Sequence, residues 1–212
     1  MKRAKNNKIQ VSQDHYYNLK YDTKERWMSY WYQVKEVLSF EPQTVLEIGV
    51  GNMTVSDYLK KLGIKITTCD FDKNLKPDVV ASVLSLPFKK NSFDVVLCAE
   101  VLEHLPFDCF NKALLEIRRV CKKSTILTLP HFSITHLYLG IKAVPFIPKK
   151  EFMLKVDFPI KHKFLGEHYW EIGKSGYSLR KIENKIKKSG FKIKKSYYPK
   201  ENPFHHFFIL IK

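Results

Sequence analysis

Two glycines directly follow an apolar segment that carries an acid, and this part of the chain is the best suited to hold a ligand. The segment 45–48 includes Glu47 and leads at once to Gly49 and Gly51. Such an apolar run predicts a buried parallel strand, and the glycines predict a tight turn into a helix. This turn lets a ligand approach the backbone, and the first N–H groups of the helix remain available to it.

The turn lacks the third glycine of the dinucleotide-binding pattern G-x-G-x-x-G, because Thr54 occupies that position. Glu47 lies two residues before the first glycine, where its negative charge suits a pyrophosphate poorly. A ligand that carries an ammonium or a sulfonium group suits Glu47 better. A nicotinamide oxidoreductase on a similar sheet is therefore a less favoured alternative.

Further motifs follow these glycines in order along the chain. Asp70 ends a second predicted strand about 20 residues on, where a carboxylate can accept hydrogen bonds from ribose hydroxyls. Leu-Pro-Phe follows at 86–88, Phe-Asp-Val-Val at 93–96 and Glu-Val-Leu-Glu-His at 100–104. This ordered set resembles the class I S-adenosylmethionine-dependent methyltransferases, in particular their type 11-like group, over residues 44–131.

The resemblance implies an α/β fold with a Rossmann-like, doubly wound sheet of seven strands and an antiparallel closing hairpin. A chain of 212 residues is long enough for one such domain. The predicted parts of this single domain are an N-terminal arm at 1–23, a cofactor-binding core at 24–130, an acceptor-side insertion or lid at 131–176, and a closing helix and hairpin at 177–212.

Hydrophobic periodicity places the elements. An amphipathic helix is predicted at 24–40, and its aromatic stripe, with Trp27 and Trp31, is assigned mostly to the core. Another helix is predicted at 108–120, with Asp108 as its N-cap. Residues 131–176 show no clear periodicity, which is typical of a functional loop or lid. The predicted strands are 44–48, 65–69, 78–80, 93–98, 125–129, 191–198 and 205–211, and the remaining predicted helices are 54–62 and 178–188.

The cofactor that the resemblance implies is S-adenosylmethionine. Glu47 would face its methionine end, Asp70 would bind both ribose hydroxyls, and Phe71 would lie against the adenine. In the alternative interpretations, the turn needs glycine only for its own conformation, Asp70 is a solvated acid at the end of a strand, and Phe71 is an ordinary core residue. Ser82 stands where relatives usually carry an acid, and its hydroxyl is a weaker acceptor. The implied cofactor-binding residues are Glu47, Gly49, Gly51, Asp70, Phe71, Ser82, Val83, Ala99 and Glu100.

Histidines supply the candidate catalytic groups, since methyl transfer to a hydroxyl requires removal of a proton. His131 follows the predicted fifth strand, His104 follows the fourth, and His168 lies in the insertion. Each can act as a general base, and each is alternatively a hydrogen-bonded loop residue. These three are the predicted catalytic residues, whereas His205 and His206 are assigned a structural role in the closing strand.

Glu100, Glu103 and His104 also allow a second interpretation, in which they bind a metal ion together with His168. Two carboxylates and two imidazoles suit Mg²⁺ or Mn²⁺, and the pattern is similar to the ligands of ubiquinone-pathway O-methyltransferases and small-RNA 2′-O-methyltransferases. In the simpler interpretation without a metal, Glu100 contacts the cofactor through its backbone, and Glu103 and His104 order the start of a helix. Many relatives carry this glutamate–histidine pair without a metal, so no metal ligand is assigned.

The net charge of +16 is concentrated in residues 107–212, which hold 22 lysines and arginines against 8 acids. A basic half can attract RNA, anionic lipid or a phosphorylated substrate. The chain has 32 lysines but only 5 arginines, whereas specific nucleic-acid contacts favour arginine. The predicted acceptor is an oxygen, or less probably a nitrogen, of a small molecule, sugar or lipid intermediate. An RNA methyltransferase or basic RNA-binding module is the alternative.

The remaining composition predicts a cytoplasmic protein. The most apolar region, 126–147, contains His131, His136 and Lys142, which argues against a membrane span. The first 16 residues do not resemble a signal peptide, and the four cysteines lack C-x-x-C spacing. The motifs specify binding better than turnover, so a donor-binding protein without activity is a further alternative.

Overall fold

The computed structural model describes residues 12–133, 135–143, 147–156 and 160–212. The first 11 residues of the predicted N-terminal arm lie outside this part of the chain. Within it, no helix combines the length and apolar character needed to cross a membrane. The helices and strands are α1 Lys24–Leu38, β1 Thr44–Ile48, α2 Thr54–Lys61, β2 Lys65–Asp70, β3 Val79–Val80, β4 Phe93–Ala99, α3 Phe110–Val120, β5 Cys121–Pro130, β6 Thr135–Ala143, β7 Ile147–Val156, α4 Leu179–Lys188, β8 Lys192–Tyr197 and β9 His205–Ile211.

A seven-stranded sheet in the order β3-β2-β1-β4-β5-β9-β8 forms the centre of the fold. Its first five strands are parallel, and β9 and β8 run antiparallel to their neighbours. The predicted doubly wound sheet with an antiparallel closing hairpin is therefore confirmed. Because β1, β2 and β4 are parallel neighbours, their carboxyl ends meet at one edge, where ligands bind in open sheets of this kind.

Two apolar layers cover the sheet. One contains Phe110 and Ile117 of α3 together with Ile182 of α4, and the other contains Val37 of α1 and Leu59 of α2. The first layer also takes up Trp170 from the insertion, which is fully buried and donates a hydrogen bond from Nε1 to the carbonyl of Leu105 at 3.0 Å. The insertion is thus fixed to the body of the domain.

The start of α3 differs from the prediction. Asp108 lies in the short 3₁₀ turn Phe107–Cys109, and α3 begins after Cys109 without a side-chain cap. Asp108 is therefore not the N-cap, because the turn that contains it precedes the helix and already sets the direction of the chain. By contrast, Ser178 caps α4 as predicted and accepts a hydrogen bond from the N–H of Lys181 at 3.3 Å.

The predicted helix α1 forms, and Tyr30, Val34 and Leu38 of its apolar stripe pack against the core, but the two tryptophans of the stripe do not. Trp27 and Trp31 are each 53% exposed, so assigning them to the core was wrong. Glu36 lies inside instead and accepts hydrogen bonds at 2.9 Å from both Lys195 and Tyr197 of β8. Specific polar partners therefore decide the rotation of this helix. The buried residues of α1 are Ser29, Gln33, Glu36 and Val37.

The insertion contains a two-stranded antiparallel hairpin, β6–β7, which the sequence pattern did not predict. Lys155 on its inner side donates hydrogen bonds to the carbonyls of His131 at 3.0 Å and Pro203 at 2.8 Å. Alternate residues therefore face away from the domain and leave an apolar outer face. The exposed apolar residues of this face are Leu137, Leu139, Phe152, Leu154 and Val156.

Candidate active site

A cavity of about 220 Å³ lies at the carboxyl ends of β1, β2 and β4. All nine residues predicted to bind the cofactor line it, together with two of the three predicted catalytic histidines. The lining residues on which the argument below depends are Tyr16, Tyr21, Arg26, Tyr30, Glu47, Gly49, Gly51, Asp70, Phe71, Ser82, Val83, Ala99, Glu100, His104, His168 and His205.

The glycine turn forms the floor of this cavity. Gly49 has φ +80° and donates its N–H to the carbonyl of Cys69 at 2.9 Å, which fixes the end of β1 against β2. A Cβ added at Gly49 would collide with the Cγ2 methyl of Val101. Both the left-handed backbone and the lack of space therefore require glycine at this position.

Asp70 joins the glycine turn to the loop after β2. Its Oδ2 accepts the N–H of Val50 at 3.0 Å, and its Oδ1 accepts the N–H of Asp72 at 2.9 Å. Each carboxylate oxygen has a second lone pair, so both can still accept a hydrogen bond from a ligand. Burial raises the pKa of Asp70, against the opposing effect of these two N–H groups.

Phe71, Ser82 and Val83 form the wall beside Asp70. The ring of Phe71 is 42% exposed, whereas Val83 is buried. The Ser82 hydroxyl accepts the N–H of Leu84 at 3.3 Å and so keeps the following turn in place. Phe71 and Val83 thus make the wall beside the Asp70 carboxylate partly apolar.

Glu47 lies 5% exposed below the glycine turn, and its Oε2 has no hydrogen-bond partner among the described residues. Burial raises the pKa of this carboxyl to about 8. A buried acid that lacks a partner is costly in its charged form. A cationic group in the cavity would remove this cost.

Residues of the N-terminal arm cover the glycine turn from above. Asn52 of the turn donates a hydrogen bond to Asp22 at 2.8 Å, and the rings of Tyr16 and Tyr21 pack edge to face with their centroids 5.1 Å apart. The guanidinium of Arg26 lies 3.9 Å from the centre of the Tyr21 ring. The arm thus closes one side of the cavity.

The charge of the cavity wall is opposite to that of the whole chain. Among the described residues, five acidic side chains and one guanidinium line the cavity and no lysine does, although the chain carries a net charge of +16. A wall of this kind attracts a cationic ligand and disfavours a pyrophosphate. The acidic lining residues are Glu47, Asp70, Asp72, Glu100 and Glu167.

Glu100 and His205 form another part of the cavity lining. Glu100 has a left-handed backbone, with φ +54°, and its Oε1 accepts the hydroxyl of Thr128 at 2.8 Å. Its Oε2 lies 3.6 Å from Nε2 of His205. Burial raises the pKa of Glu100 to about 7 and lowers that of His205 to about 3, so His205 is neutral at physiological pH.

Comparison with known proteins agrees with this arrangement. Residues 46–129 match the model of a family described as a methyltransferase domain. An uncharacterized protein of Methanocaldococcus jannaschii is 40% identical over 83 residues, which are 37% of this chain and 36% of that protein. The demethylmenaquinone methyltransferase of Corynebacterium efficiens is 31% identical over 110 residues, 48% of this chain and 47% of the relative. Over residues 46–129, the chain carries this methyltransferase domain.

The structural similarity of this methyltransferase domain to known proteins covers more of the chain than the sequence similarity does. The 1,6-didemethyltoxoflavin-N1-methyltransferase of Burkholderia thailandensis superimposes with a TM-score of 0.58 and 13% identity, over 94% of this chain and 86% of that one. The two curated relatives, by contrast, are each spanned over less than half of their length.

His131 does not belong to the cavity of the methyltransferase domain, contrary to its predicted role as a base. It is 2% exposed and is absent from the cavity lining. Its Nδ1 lies 3.0 Å from Nδ1 of His206, and Nε2 of His206 lies 3.0 Å from the hydroxyl of Ser196. The pairing of β5 with β9 turns His131 to the other side of the sheet from His205.

Several cavity residues of the methyltransferase domain were not predicted. His205 was assigned a structural role, and Tyr16, Tyr21, Arg26 and Tyr30 were given no contact with the ligand. The only sequence signal for the arm was its high aromatic content next to one of the few arginines. No sequence signal indicated that His205 faces the cavity. The face of the sheet on which a strand residue lies depends on a register that forms between distant segments.

The raised pKa of Glu47 gives a testable pH dependence. Between about pH 4.5 and 8 the folded domain holds a proton on Glu47 that the unfolded chain has released. Stability should therefore fall as pH rises through this window, by at most about 1.4 kcal/mol per pH unit from this group. Glu47→Gln removes the effect, so urea unfolding at pH 5 and pH 8 should show the variant gaining on the wild type at pH 8. An unchanged difference at the two pH values would contradict the assignment.

Proposed function

We propose that this chain transfers the methyl group of S-adenosylmethionine to an oxygen atom of a small acceptor. The observation that supports this most strongly is the acid-rich cavity, which holds all nine residues expected at the donor. The donor carries a sulfonium and an ammonium, and such groups suit a wall of five carboxylates and one guanidinium. The structure from Burkholderia thailandensis with the similar fold contains S-adenosylhomocysteine.

The donor then lies along the carboxyl edge of the sheet. Its methionine part rests on Gly49 and Gly51, with its ammonium close to Glu47. Its ribose hydroxyls donate to the remaining lone pairs of Asp70, and its adenine fills the slot between Phe71 and Val83. This direction leaves the sulfonium methyl pointing toward the part of the cavity formed by Glu100 and the histidines.

The transfer itself is a direct displacement. A bond forms between the acceptor oxygen and the methyl carbon while the bond from sulfur to that carbon breaks, and its electron pair stays on sulfur as a thioether. The acceptor hydroxyl gives up its proton to Glu100, whose pKa of about 7 is well matched to this role at neutral pH. His104 and His168 contact the acceptor from the same end of the cavity.

The acceptor class that we propose is a lipid intermediate reached at an anionic membrane surface. The hairpin β6–β7 joins the domain beside Pro203, next to the cavity residues Phe204 and His205, and its outer face is apolar. The surrounding half of the chain is strongly basic, which complements anionic headgroups. One of the relatives is named a demethylmenaquinone methyltransferase.

Calorimetric titration tests the donor part of this function. The purified chain should bind S-adenosylhomocysteine with micromolar affinity and NADH much more weakly, because the described part of the cavity wall is rich in acids and offers no lysine for a pyrophosphate. Preference for NADH, or no binding of either compound, would overturn the proposal.

A transfer assay with a labelled methyl group tests the acceptor part. Label should pass to a hydroxylated lipid presented in vesicles that contain anionic lipid, and little should pass to soluble sugars or RNA. Leu139→Asp should lower vesicle-dependent transfer at least tenfold, since a charge on the exposed hairpin face opposes insertion. Asp108→Asn, on the short turn before α3, is the matched control and should leave transfer unchanged. Transfer to RNA alone would reject the lipid acceptor and retain the methyltransferase.

A further inference from the structure

A buried histidine with an unpaired ring nitrogen lines the cavity beside Glu100. His205 is 5% exposed and belongs to the cavity lining. Its Nδ1 is enclosed by the protein and has no hydrogen-bond partner among the described residues. Because Nδ1 is enclosed, Nε2 is the ring nitrogen that a ligand in the cavity can reach.

The sheet fixes the position of this ring. Pro130 of β5 pairs with His205 of β9, and the adjacent His206 points to the other face of the sheet, where it meets His131. The backbone N–H of His205 also donates to the carbonyl of Asn202 at 3.2 Å. A side chain that is held by a strand in this way keeps a more precise position than one on a loop.

Glu100 and His205 present a hydrogen-bond acceptor and a donor side by side. Oε2 of Glu100 lies 3.6 Å from Nε2 of His205, which is too long for a direct hydrogen bond. The lowered pKa of His205, about 3, keeps its ring neutral with a single N–H. When Glu100 is ionised, its negative charge favours that proton on Nε2 rather than on Nδ1.

The spacing of these two atoms suits one hydroxyl group. An oxygen about 2.8 Å from each of them completes a triangle on the base of 3.6 Å. A hydroxyl in this place can donate to Oε2 of Glu100 and accept from Nε2 of His205 at the same time. The hydroxyl of Thr128 already donates to Oε1 of Glu100 at 2.8 Å, which leaves Oε2 for the ligand.

We propose that His205 selects a hydroxyl over an amino group as the methyl acceptor, by donating a hydrogen bond from Nε2 to the acceptor oxygen. This role rests on the proposed function, in which Glu100 removes the acceptor proton. A hydroxyl oxygen has two lone pairs, so one attacks the methyl carbon while the other accepts from His205. An amine nitrogen has one lone pair. Attack uses it, and the N–H of His205 is left unpaired.

The balance of the transfer is unchanged by this contact. The new bond joins the acceptor oxygen to the methyl carbon, the electron pair of the broken bond stays on sulfur, and the acceptor proton passes to Glu100. His205 keeps its own proton throughout, so it determines specificity and is not the base. A site that forms a hydrogen bond to its substrate strongly rejects an analogue that lacks the matching group.

The test is calorimetric titration of the purified chain, saturated with S-adenosylhomocysteine, with para-hexylphenol and with para-hexylaniline. The two probes have the same shape, are uncharged at neutral pH and differ only in the group that would face His205. The wild type should bind the phenol at least about tenfold more tightly, because an unpaired buried donor costs about that factor. His205→Phe should abolish this preference, and His205→Gln, which keeps an N–H donor, should restore part of it.

His206→Phe is the matched control. It replaces the neighbouring histidine, which is 2% exposed and contacts His131 rather than the cavity. This variant should keep the preference for the phenol. If His205→Phe kept the preference as well, the assignment to His205 would be rejected.

Titration with S-adenosylhomocysteine, and of the probes in its absence, separates the possible failures. A wild type that binds S-adenosylhomocysteine but shows no preference for the phenol, or binds neither probe, would overturn the role of His205 and leave the donor function intact. A preference for the phenol in a chain that binds no S-adenosylhomocysteine would reject the proposed function and retain the hydroxyl site.

A measurement on the wild type covers the case in which His205→Phe does not fold. In nuclear magnetic resonance of the chain with isotope-labelled histidine, His205 should carry its proton on Nε2. Saturation with para-hexylphenol should shift the signal of that proton. A proton on Nδ1, or a signal that does not shift, would overturn the proposal.

Discussion

Replacing Asp70 with asparagine should lower the affinity for S-adenosylhomocysteine by at least about 100-fold, because two hydrogen bonds from ribose hydroxyls to a charged group contribute about 1.5–3 kcal/mol each. The amide NH₂ of asparagine would also oppose the N–H of Val50 or Asp72, both of which now donate to the carboxylate. The floor of the cavity would then lose its shape together with its charge. Calorimetric titration of the variant measures the effect.

Asp94 offers a closely matched control. It is a buried acid at the opposite end of the sheet, and its Oδ2 accepts the N–H groups of Gln43 at 3.0 Å and Thr44 at 3.1 Å. Asp94→Asn should therefore reduce thermal stability in much the same way as Asp70→Asn and leave donor affinity within about twofold. If both variants bound S-adenosylhomocysteine equally well, Asp70 would have only a structural role.

The contrast between these two acids shows what the sequence could predict. Asp70 ends an apolar run, and Asp94 lies at the beginning of another. The alternation of strands and helices assigns these two acids to opposite edges of a parallel sheet. That rule places Gly49, Asp70 and Ser82 at or just after the carboxyl ends of successive strands, and the resemblance to methyltransferases supplied their expected roles toward the donor. The order of residues along the chain was sufficient for prediction wherever one short segment supplies the residues that line the cavity.

Contacts between distant segments could not be predicted in this way. His205 and His206 are neighbours, yet one reaches the cavity and the other pairs with His131, because adjacent residues of a strand point to opposite faces. Which of them faces the cavity depends on the β5–β9 register, in which Pro130 pairs with His205. The meeting of His104 with His168 likewise depends on the docking of Trp170. The periodicity of the insertion did not indicate it, and only the similarity to metal-binding methyltransferases suggested that these histidines lie together.

For a related reason, hydropathy did not predict correctly which residues of α1 face the interior of the domain. The aromatic stripe would normally mark the buried face, but Glu36 pairs with Lys195 and Ser29 pairs with Asn202, which bring a polar face inward. These partners lie more than 150 residues away along the chain. Buried polar groups are satisfied by individual partners, and hydropathy contains no information on them.

Gly49→Ala should impair both folding and donor binding far more than the same change at Gly63. The two glycines have nearly equal backbone angles, φ +80° and +82°, so the left-handed strain of about 1 kcal/mol is common to both. A Cβ at Gly49 meets Val101, whereas at Gly63 the described residues leave the space within 4 Å empty. Gly63→Ala should thus lower Tm by a few degrees and keep donor affinity unchanged, and Gly49→Ala should lower donor affinity more than tenfold.

A double substitution identifies the origin of this difference. If the collision with Val101 is responsible, Val101→Ala should restore part of the stability that Gly49→Ala removes, with a coupling of about 0.5–3 kcal/mol in the cycle. Val101→Ala alone should be destabilising, since it removes partly buried methyl groups that pack against the core. Additive losses in the cycle would mean that strain rather than contact disfavours alanine at Gly49. The turn would then need glycine for its backbone angle, and the close approach of Val101 would have no energetic consequence.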